Sequence, residues 1–216
     1  MSTGSPLRWL ALGDSYTIGE GVEPEGRWPR QLAARLRESG IDIEVRQTIA
    51  VTGWTTDELS TAMDAAEPLA CDWDFVSLLI GVNNQYRGRS VDDYRSEFAG
   101  LLSRAIALAG DCPARVLVLS IPDWGVTRFG AESGRDLAQV ASELDAYNAA
   151  AAELCRERHV AFVDITLASR IDGDAPAMLA EDGLHPSAAM YARWVDVAEP
   201  AARLLLEPAA AAHPLA

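Results

Sequence analysis

Residues 7–22 read LRWLALGDSYTIGEGV. An apolar run over Leu7–Leu12 stops at Gly13-Asp14-Ser15, and a polar segment with more glycines follows. The run predicts a strand, and the glycine-bearing segment predicts a tight loop at the carboxyl end of that strand. Two interpretations of Ser15 compete: a helix cap in a strand-to-helix turn, or a nucleophile displayed at the edge of a sheet.

The rest of the chain alternates between strand and helix patterns. Apolar runs predict four further strands, at 41–48, 75–80, 115–121 and 160–165. Periodic segments predict helices at 28–39, 55–66, 91–109, 136–158 and 187–206, the last of which Pro200 should kink or divide. Because apolar strands that alternate with helices are typical of parallel sheets, we predict a three-layer α/β/α architecture with a five-stranded parallel sheet. One domain is expected over residues 1–207, followed by a disordered tail at 208–216.

The composition excludes several classes of function. The 216 residues carry a net charge of -14, and such an acidic surface repels phosphate backbones and anionic lipids. We therefore expect no nucleic-acid partner. All 18 basic residues are arginine, which excludes a Schiff-base lysine, a P-loop lysine and a Ser-Lys dyad. The three cysteines are far apart and lack C-x-x-C spacing, so neither a disulfide framework nor a metal site is expected.

Targeting signals are not visible in the sequence. The early apolar run over Leu7–Leu12 is too short for the core of a signal peptide. No stretch approaches the roughly 20 apolar residues of a membrane-spanning helix. We therefore expect a cytoplasmic protein without stable membrane insertion, and its oligomeric state cannot be read from the sequence.

Short polar segments that bear glycine follow the predicted strands. VTGWTT contains Gly53, GVNNQYRG contains Asn83, PDWGVTRFG follows the fourth strand, and EDGLHPS precedes the last helix. Because the carboxyl ends of parallel strands share one edge, where α/β sheets bind ligands, we expect these segments to form one site together with the Ser15 loop.

His185 is the candidate base at this site. It lies three residues after Asp182 in a loop bounded by glycine and proline. This spacing can bring a carboxylate to Nδ1 of the imidazole, which fixes the tautomer and stabilises the imidazolium. The pair alone is weak evidence, but together with Ser15 and Asn83 it indicates nucleophilic catalysis.

In these segments the chain resembles the SGNH hydrolases, also called GDSL-type esterases and lipases. That family is identified by four spaced blocks, which are matched here in order by Gly13-Asp14-Ser15, Gly53, Gly81-Val82-Asn83-Asn84 and Asp182-Gly183-Leu184-His185. The third block departs from the family at Asn84, where an aspartate is usual, which affects the hydrogen bonding of the loop more than the chemistry. The resemblance implies a flavodoxin-like fold. It separates the chain from the α/β-hydrolases, whose serine lies in G-x-S-x-G.

The resemblance also implies a catalytic triad without a cofactor or a metal ion. Ser15 would be the nucleophile, His185 would accept and return its proton, and Asp182 would orient His185. The N–H groups of Ser15 and Gly53 and the amide of Asn83 would form the oxyanion hole.

The loops also contain four aromatic residues whose role the sequence leaves open. They either line the substrate pocket or pack against the core, and they are Trp54, Tyr86, Trp124 and Phe129.

The expected function is that of a serine esterase that hydrolyses small to medium acyl esters through an acyl-enzyme. The substrate is left open among a carbohydrate acetyl ester, a short-chain lipid or lysophospholipid, and a thioester. Acyl transfer to an alcohol uses the same acyl-enzyme and is one alternative. A non-catalytic flavodoxin-like module that binds a small ligand is the other.

Overall fold

The computed structural model describes residues 5–66 and 69–207. Five strands form an all-parallel sheet in the order β2-β1-β3-β4-β5, and they are β1 (Leu7–Gly13), β2 (Ile43–Ala50), β3 (Phe75–Leu79), β4 (Val116–Leu119) and β5 (Ala161–Val163). This order is that of flavodoxin-like folds, so the predicted fold class is confirmed. The expected disorder of 208–216 lies outside the described residues, and the extent of one domain over 1–207 stays a prediction.

Helices surround this sheet and complete the three layers. Helix α2 packs against α9, and α5 packs against both α3 and α7. The helices of the described ranges are α1 (Ser15–Ile18), α2 (Trp28–Glu38), α3 (Thr56–Ala65), α4 (Val82–Tyr86), α5 (Val91–Leu108), α6 (Arg128–Glu132), α7 (Leu137–Glu157), α8 (Thr166–Arg170) and α9 (Ala188–Leu206). None of the helices in those ranges is long and apolar enough to cross a membrane.

Helix α9 differs from the sequence prediction at Pro200. The sequence predicts a kink or a division there. Because the helix runs without interruption from Ala188 to Leu206, the division is wrong, and the kink stays a prediction. A proline inside a helix leaves one carbonyl four residues earlier without its N–H partner. Here both Pro200 and Asp196 lie on the exposed side of the helix, where water can bond to the freed carbonyl.

Strands β1 and β3 form a rigid base beneath the predicted site. Every residue of β3 is buried. Trp9 of β1 donates a hydrogen bond from Nε1 to Ser77 Oγ of β3 at 2.9 Å, and its ring lies 5.0 Å from that of Phe75. The strand order reverses between these two strands, and ligands of such sheets bind outside the carboxyl ends at this switch point. Ser15 follows β1 there, and Asn83 follows β3.

Candidate active site

Ser15 is the first residue of α1, directly after β1. Asp14 caps this helix, because its Oδ1 accepts a hydrogen bond from the Tyr16 N–H at 3.0 Å. Ser15 is 4% exposed. Within residues 5–66 and 69–207, neither its N–H nor its hydroxyl forms a hydrogen bond. Asp14 therefore satisfies the capping requirement, and both polar groups of Ser15 are left for a ligand.

Asp14 is itself fully buried at the junction of two functional segments. Burial raises the pKa of Asp14 to about 7, although the backbone N–H groups of Tyr16 and Gly81 act to lower it. Those two N–H groups belong to the start of α1 and to the residue before α4. Oδ1 of Asp14 caps α1, whereas Oδ2 is buried without a hydrogen-bond partner among the described residues, so we assign this side chain a structural role at the start of α1.

Asp182 and His185 are in direct contact. Oδ2 of Asp182 lies 2.5 Å from Nδ1 of His185, and Oδ1 accepts the backbone N–H groups of Leu184 and His185, each at 2.9 Å. Burial acts to raise the pKa of Asp182, but the hydrogen bonds from the His185 ring and from the two N–H groups hold it below the usual range. The carboxylate is therefore ionised at neutral pH and fixed in orientation.

The loop that holds this pair is fastened to α6. The Phe129 N–H donates to the Gly183 carbonyl at 3.0 Å, and Nη2 of Arg128 donates to the Glu181 carbonyl at 3.2 Å. Gly183 has a φ of +70°, and a Cβ atom at this position would lie 2.6 Å from Nε of Arg128. The backbone conformation therefore favours glycine in the loop, whereas the flexible Arg128 side chain could shift to make room for a Cβ atom.

Asn83 lies near the start of α4, and its amide joins two loops. Nδ2 donates a hydrogen bond to the Trp54 carbonyl at 2.9 Å, which leaves the second N–H of the same amide for another acceptor. Nη2 of Arg87 donates to the Gly53 carbonyl at 2.7 Å. Gly53 has a φ of +90°, and its own N–H has no partner among the described residues. These contacts hold the Gly53 loop against α4.

Asn84, the departure from the family pattern, is completely buried beside a carboxylate. Its Oδ1 accepts the Thr56 N–H at 3.1 Å, and its Nδ2 donates to Thr56 Oγ1 at 2.6 Å and to Glu97 Oε2 at 3.3 Å. Thr56 Oγ1 donates to the same oxygen of Glu97. An aspartate at position 84 would face this carboxylate without a proton to donate, whereas the amide supplies one. The local environment therefore explains the asparagine.

One cavity of about 190 Å³ brings most of the predicted site residues together. Trp54 is not part of its lining, and the partly buried Trp54 side chain packs against the hydrophobic core. Gly53 does not line it either, and Asp182 lies behind His185. The lining residues are Ser15, Tyr16, Val82, Asn83, Tyr86, Trp124, Phe129, Leu184 and His185.

Ser15 and His185 share a cavity without a hydrogen bond between them in the described part of the chain. Catalytic hydrogen bonds are often long without substrate and tighten in the complex. The arrangement therefore suits a serine and a base that engage when an ester binds.

The sequence prediction missed three lining residues and one residue behind them. Tyr16, Val82 and Leu184 each lie next to a motif residue, and this adjacency is the signal that could have found them. Gln85 is buried behind the cavity, where its Oε1 accepts the Trp124 Nε1–H at 2.8 Å. Nothing in the sequence marks that contact. Among residues 5–66 and 69–207, no group of three His, Cys, Asp or Glu side chains is placed to hold a metal ion.

The model of the GDSL-like Lipase/Acylhydrolase family matches residues 11–193, which is most of the chain. The chain belongs to this family. It is accordingly a serine hydrolase that acts on ester bonds. The match begins within β1 and extends into α9, so it includes all the blocks described above.

Solved structures of family members share the fold at low sequence identity. TesA superposes with a TM-score of 0.70 at 21% identity, over 92% of this chain and 99% of TesA. Axe2, an acetylxylan esterase from Geobacillus stearothermophilus, superposes with a TM-score of 0.68 at 21% identity, over 97% of this chain and 98% of Axe2. A lipase/acylhydrolase from Enterococcus faecalis superposes with a TM-score of 0.68 at 20% identity, over 94% of this chain and 100% of that protein. No curated protein matches the chain by sequence.

Proposed function

We propose that this esterase hydrolyses short acyl esters through an acyl-enzyme on Ser15. The main supporting observation is the shared cavity. Ser15, Asn83 and His185 line it together, and the Asp182 carboxylate contacts His185 on the ring nitrogen at 2.5 Å. A nucleophile, a neutral hydrogen-bond donor and an oriented base at one cavity are the parts that acyl transfer requires.

The proposed reaction has two steps. In the first, His185 takes the hydroxyl proton of Ser15 while Oγ bonds to the carbonyl carbon of the ester. His185 then returns this proton to the alcohol oxygen as the ester C–O bond breaks, and the acyl group remains on Ser15. In the second step, a water molecule gives a proton to His185 and attacks the acyl carbon. The carboxylic acid leaves, and Ser15 recovers its proton.

The negative oxygen of each tetrahedral intermediate would be stabilised by three donors. They are the N–H groups of Ser15 and Gly53 and the side-chain amide of Asn83. The first two have no partner among the described residues, and Asn83 has a second N–H beyond the one given to Trp54. Asp182 stays ionised throughout and stabilises the imidazolium of His185.

The cavity favours a short acyl group. Its volume of about 190 Å³ is below the roughly 300–1,000 Å³ of pockets that hold drug-sized ligands. Aromatic rings form one side of it, with centroids of Tyr86 and Trp124 5.4 Å apart. We expect an acetyl to butyryl group to occupy this space, and the fold shared with the acetylxylan esterase Axe2 supports a short acyl group. The alcohol part is left open between a carbohydrate, a lysolipid and a thiol.

The test is hydrolysis of p-nitrophenyl esters from acetate to decanoate by the wild type, Ser15→Ala and Ser39→Ala. Ser39 lies at the end of α2, where its hydroxyl donates to the Leu36 carbonyl, and it controls for the loss of a serine hydroxyl. We expect turnover of the short esters by the wild type and the control, and a fall to background in Ser15→Ala. Equal rates in the wild type and Ser15→Ala would overturn the proposal. Added alcohol in the same assay would reveal acyl transfer through a transesterified product.

A further inference from the structure

A small second cavity lies next to the proposed acyl cavity. It measures about 20 Å³, and three side chains, those of Tyr16, Trp124 and Leu184, line both spaces. We call these three side chains the shared wall. The far side of the small cavity is formed largely by apolar groups that include Met178, Met190 and Trp194.

Three polar side chains at the small cavity have partners. The buried Trp194 Nε1–H and the Tyr16 hydroxyl have none among the described residues. Asp123 accepts from the Arg170 guanidinium at 2.8 Å, and Ser169 Oγ accepts the Asp123 N–H at 3.0 Å. Thr127 Oγ1 donates to the Trp124 carbonyl at 2.6 Å. Apart from these two groups, the surface that remains is apolar, and this apolar part favours an alkyl chain.

Trp124 is the member of the shared wall whose position depends on a buried polar side chain. Its Nε1–H donates to Gln85 Oε1 at 2.8 Å, and Gln85 Nε2 donates to Glu143 Oε2 at 2.7 Å. Gln85 and Trp124 are each 2% exposed. A buried N–H without an acceptor is unfavourable, so this chain of bonds fixes the angle of the indole.

We infer that Gln85 is a specificity-determining positioning residue: by holding the Trp124 indole, it keeps the acyl cavity closed toward the small apolar cavity and so limits the length of the acyl chain. This inference rests on the proposed function, because it assigns the cavity beside Ser15 to the acyl group. Release or removal of the indole would join the two spaces and admit a longer chain.

The experiment compares the ratio of kcat/KM for octanoate to that for acetate in four proteins. Gln85→Met keeps the size of the side chain but loses both hydrogen bonds. Trp124→Leu removes the indole directly. Gln139→Leu is the matched control, because the exposed Gln139 donates to the other oxygen of Glu143 at 2.8 Å and does not contact Trp124. A few methylenes in an apolar pocket are worth about tenfold or more in kcat/KM.

We expect the octanoate to acetate ratio to rise about tenfold in Gln85→Met and Trp124→Leu and to stay at the wild-type value in Gln139→Leu. Hydrogen exchange of the Trp124 indole N–H, assigned by NMR through its loss in Trp124→Leu, should be slow in the wild type and fast in Gln85→Met. This second readout reports on the hydrogen bond independently of turnover.

Two results would overturn the inference. Unchanged ratios in an active Trp124→Leu would show that the indole does not limit chain length. An unchanged ratio in Gln85→Met, with fast exchange of the indole N–H, would show that its hydrogen bond does not set specificity. A wild type as inert as Ser15→Ala would instead overturn the proposed function, and this inference with it.

Discussion

Oδ2 of Asp182 lies 2.5 Å from Nδ1 of His185, while Oδ1 of the same carboxylate accepts two backbone N–H groups. The side chain is therefore held at both oxygens, and it can present only one of them to the ring. This contact gives Nδ1 the proton and leaves Nε2 as the basic nitrogen of a ring that lines the cavity. The loop thus selects the tautomer that the proposed mechanism needs.

Replacement of Asp182 by asparagine should reduce kcat by about 10³–10⁴-fold, because the amide no longer stabilises the imidazolium and can favour the wrong tautomer. Initial rates with p-nitrophenyl acetate measure this. Asp172→Asn is the matched control, since it removes a carboxylate that pairs with Arg193 instead. A rate for Asp182→Asn within a few-fold of the wild type would rule out the orienting role.

Replacement of Asn83 by alanine should lower kcat by about 10²–10³-fold through loss of one oxyanion donor. The same change removes the hydrogen bond to the Trp54 carbonyl, so part of the effect could come from movement of the Gly53 loop. Arg87→Ala separates the two causes, because it frees the Gly53 carbonyl and leaves the amide of Asn83 in place. We expect a smaller loss in kcat for Arg87→Ala. Equal losses would assign the effect of Asn83 to the loop.

Asn84 and Glu97 should be coupled in stability. The Asn84→Asp variant places two carboxylates around Thr56 Oγ1 and should lower the free energy of unfolding by about 1–3 kcal/mol. Glu97→Gln supplies an amide donor from the opposite side. In urea unfolding, the double variant should therefore be more stable than the sum of the two single changes predicts, by about 1 kcal/mol or more. Additive effects would contradict the assigned contact.

Asp14 should make stability depend on pH. Its pKa of about 7 in the folded chain lies above the ordinary value of 3.8, so the folded state binds a proton that the unfolded state has released between these values. The stabilisation is complete below about pH 4 and is lost as the pH rises through 7, a change of roughly 4 kcal/mol. The Asp14→Asn side chain does not titrate, so the variant lacks this pH dependence.

The measurement is the free energy of unfolding of the wild type and Asp14→Asn from pH 4 to pH 8. We expect the free energy of unfolding of the wild type to fall, relative to that of Asp14→Asn, as the pH rises across this range. Parallel profiles for the two proteins would mean that Asp14 keeps an ordinary pKa despite its burial.

The central strands were predictable because each is a predominantly apolar run. Leu7–Gly13 and Phe75–Leu79 are apolar runs that end in glycine-bearing loops, and the structure places both in the sheet within one residue of the predicted bounds. The short helices were not predicted. Val82–Tyr86 has five residues, too few for a helical period, and its sequence is typical of a turn.

Site residues that belong to a sequence motif were predictable. The orientation of an aromatic side chain, which depends on packing, was not. Ser15, Asn83 and His185 were expected at one edge of the sheet and do line one cavity. Trp54 lies next to Gly53 in sequence, but its side chain packs against the core, and only its carbonyl contacts Asn83. The composition of a loop does not determine the orientation of an aromatic side chain, because contacts with neighbouring elements in the folded chain set it.

In the proposed mechanism Ser15 forms a covalent intermediate. Incubation with diethyl p-nitrophenyl phosphate, followed by intact-mass and peptide-mass measurement, tests it most directly, because an activated serine displaces p-nitrophenol and keeps the diethylphosphoryl group. We predict one added group per chain, located on the peptide that contains Ser15, and no addition to Ser15→Ala or to His185→Ala. An unmodified wild type, or the same modification in Ser15→Ala, would show that Ser15 is not the nucleophile.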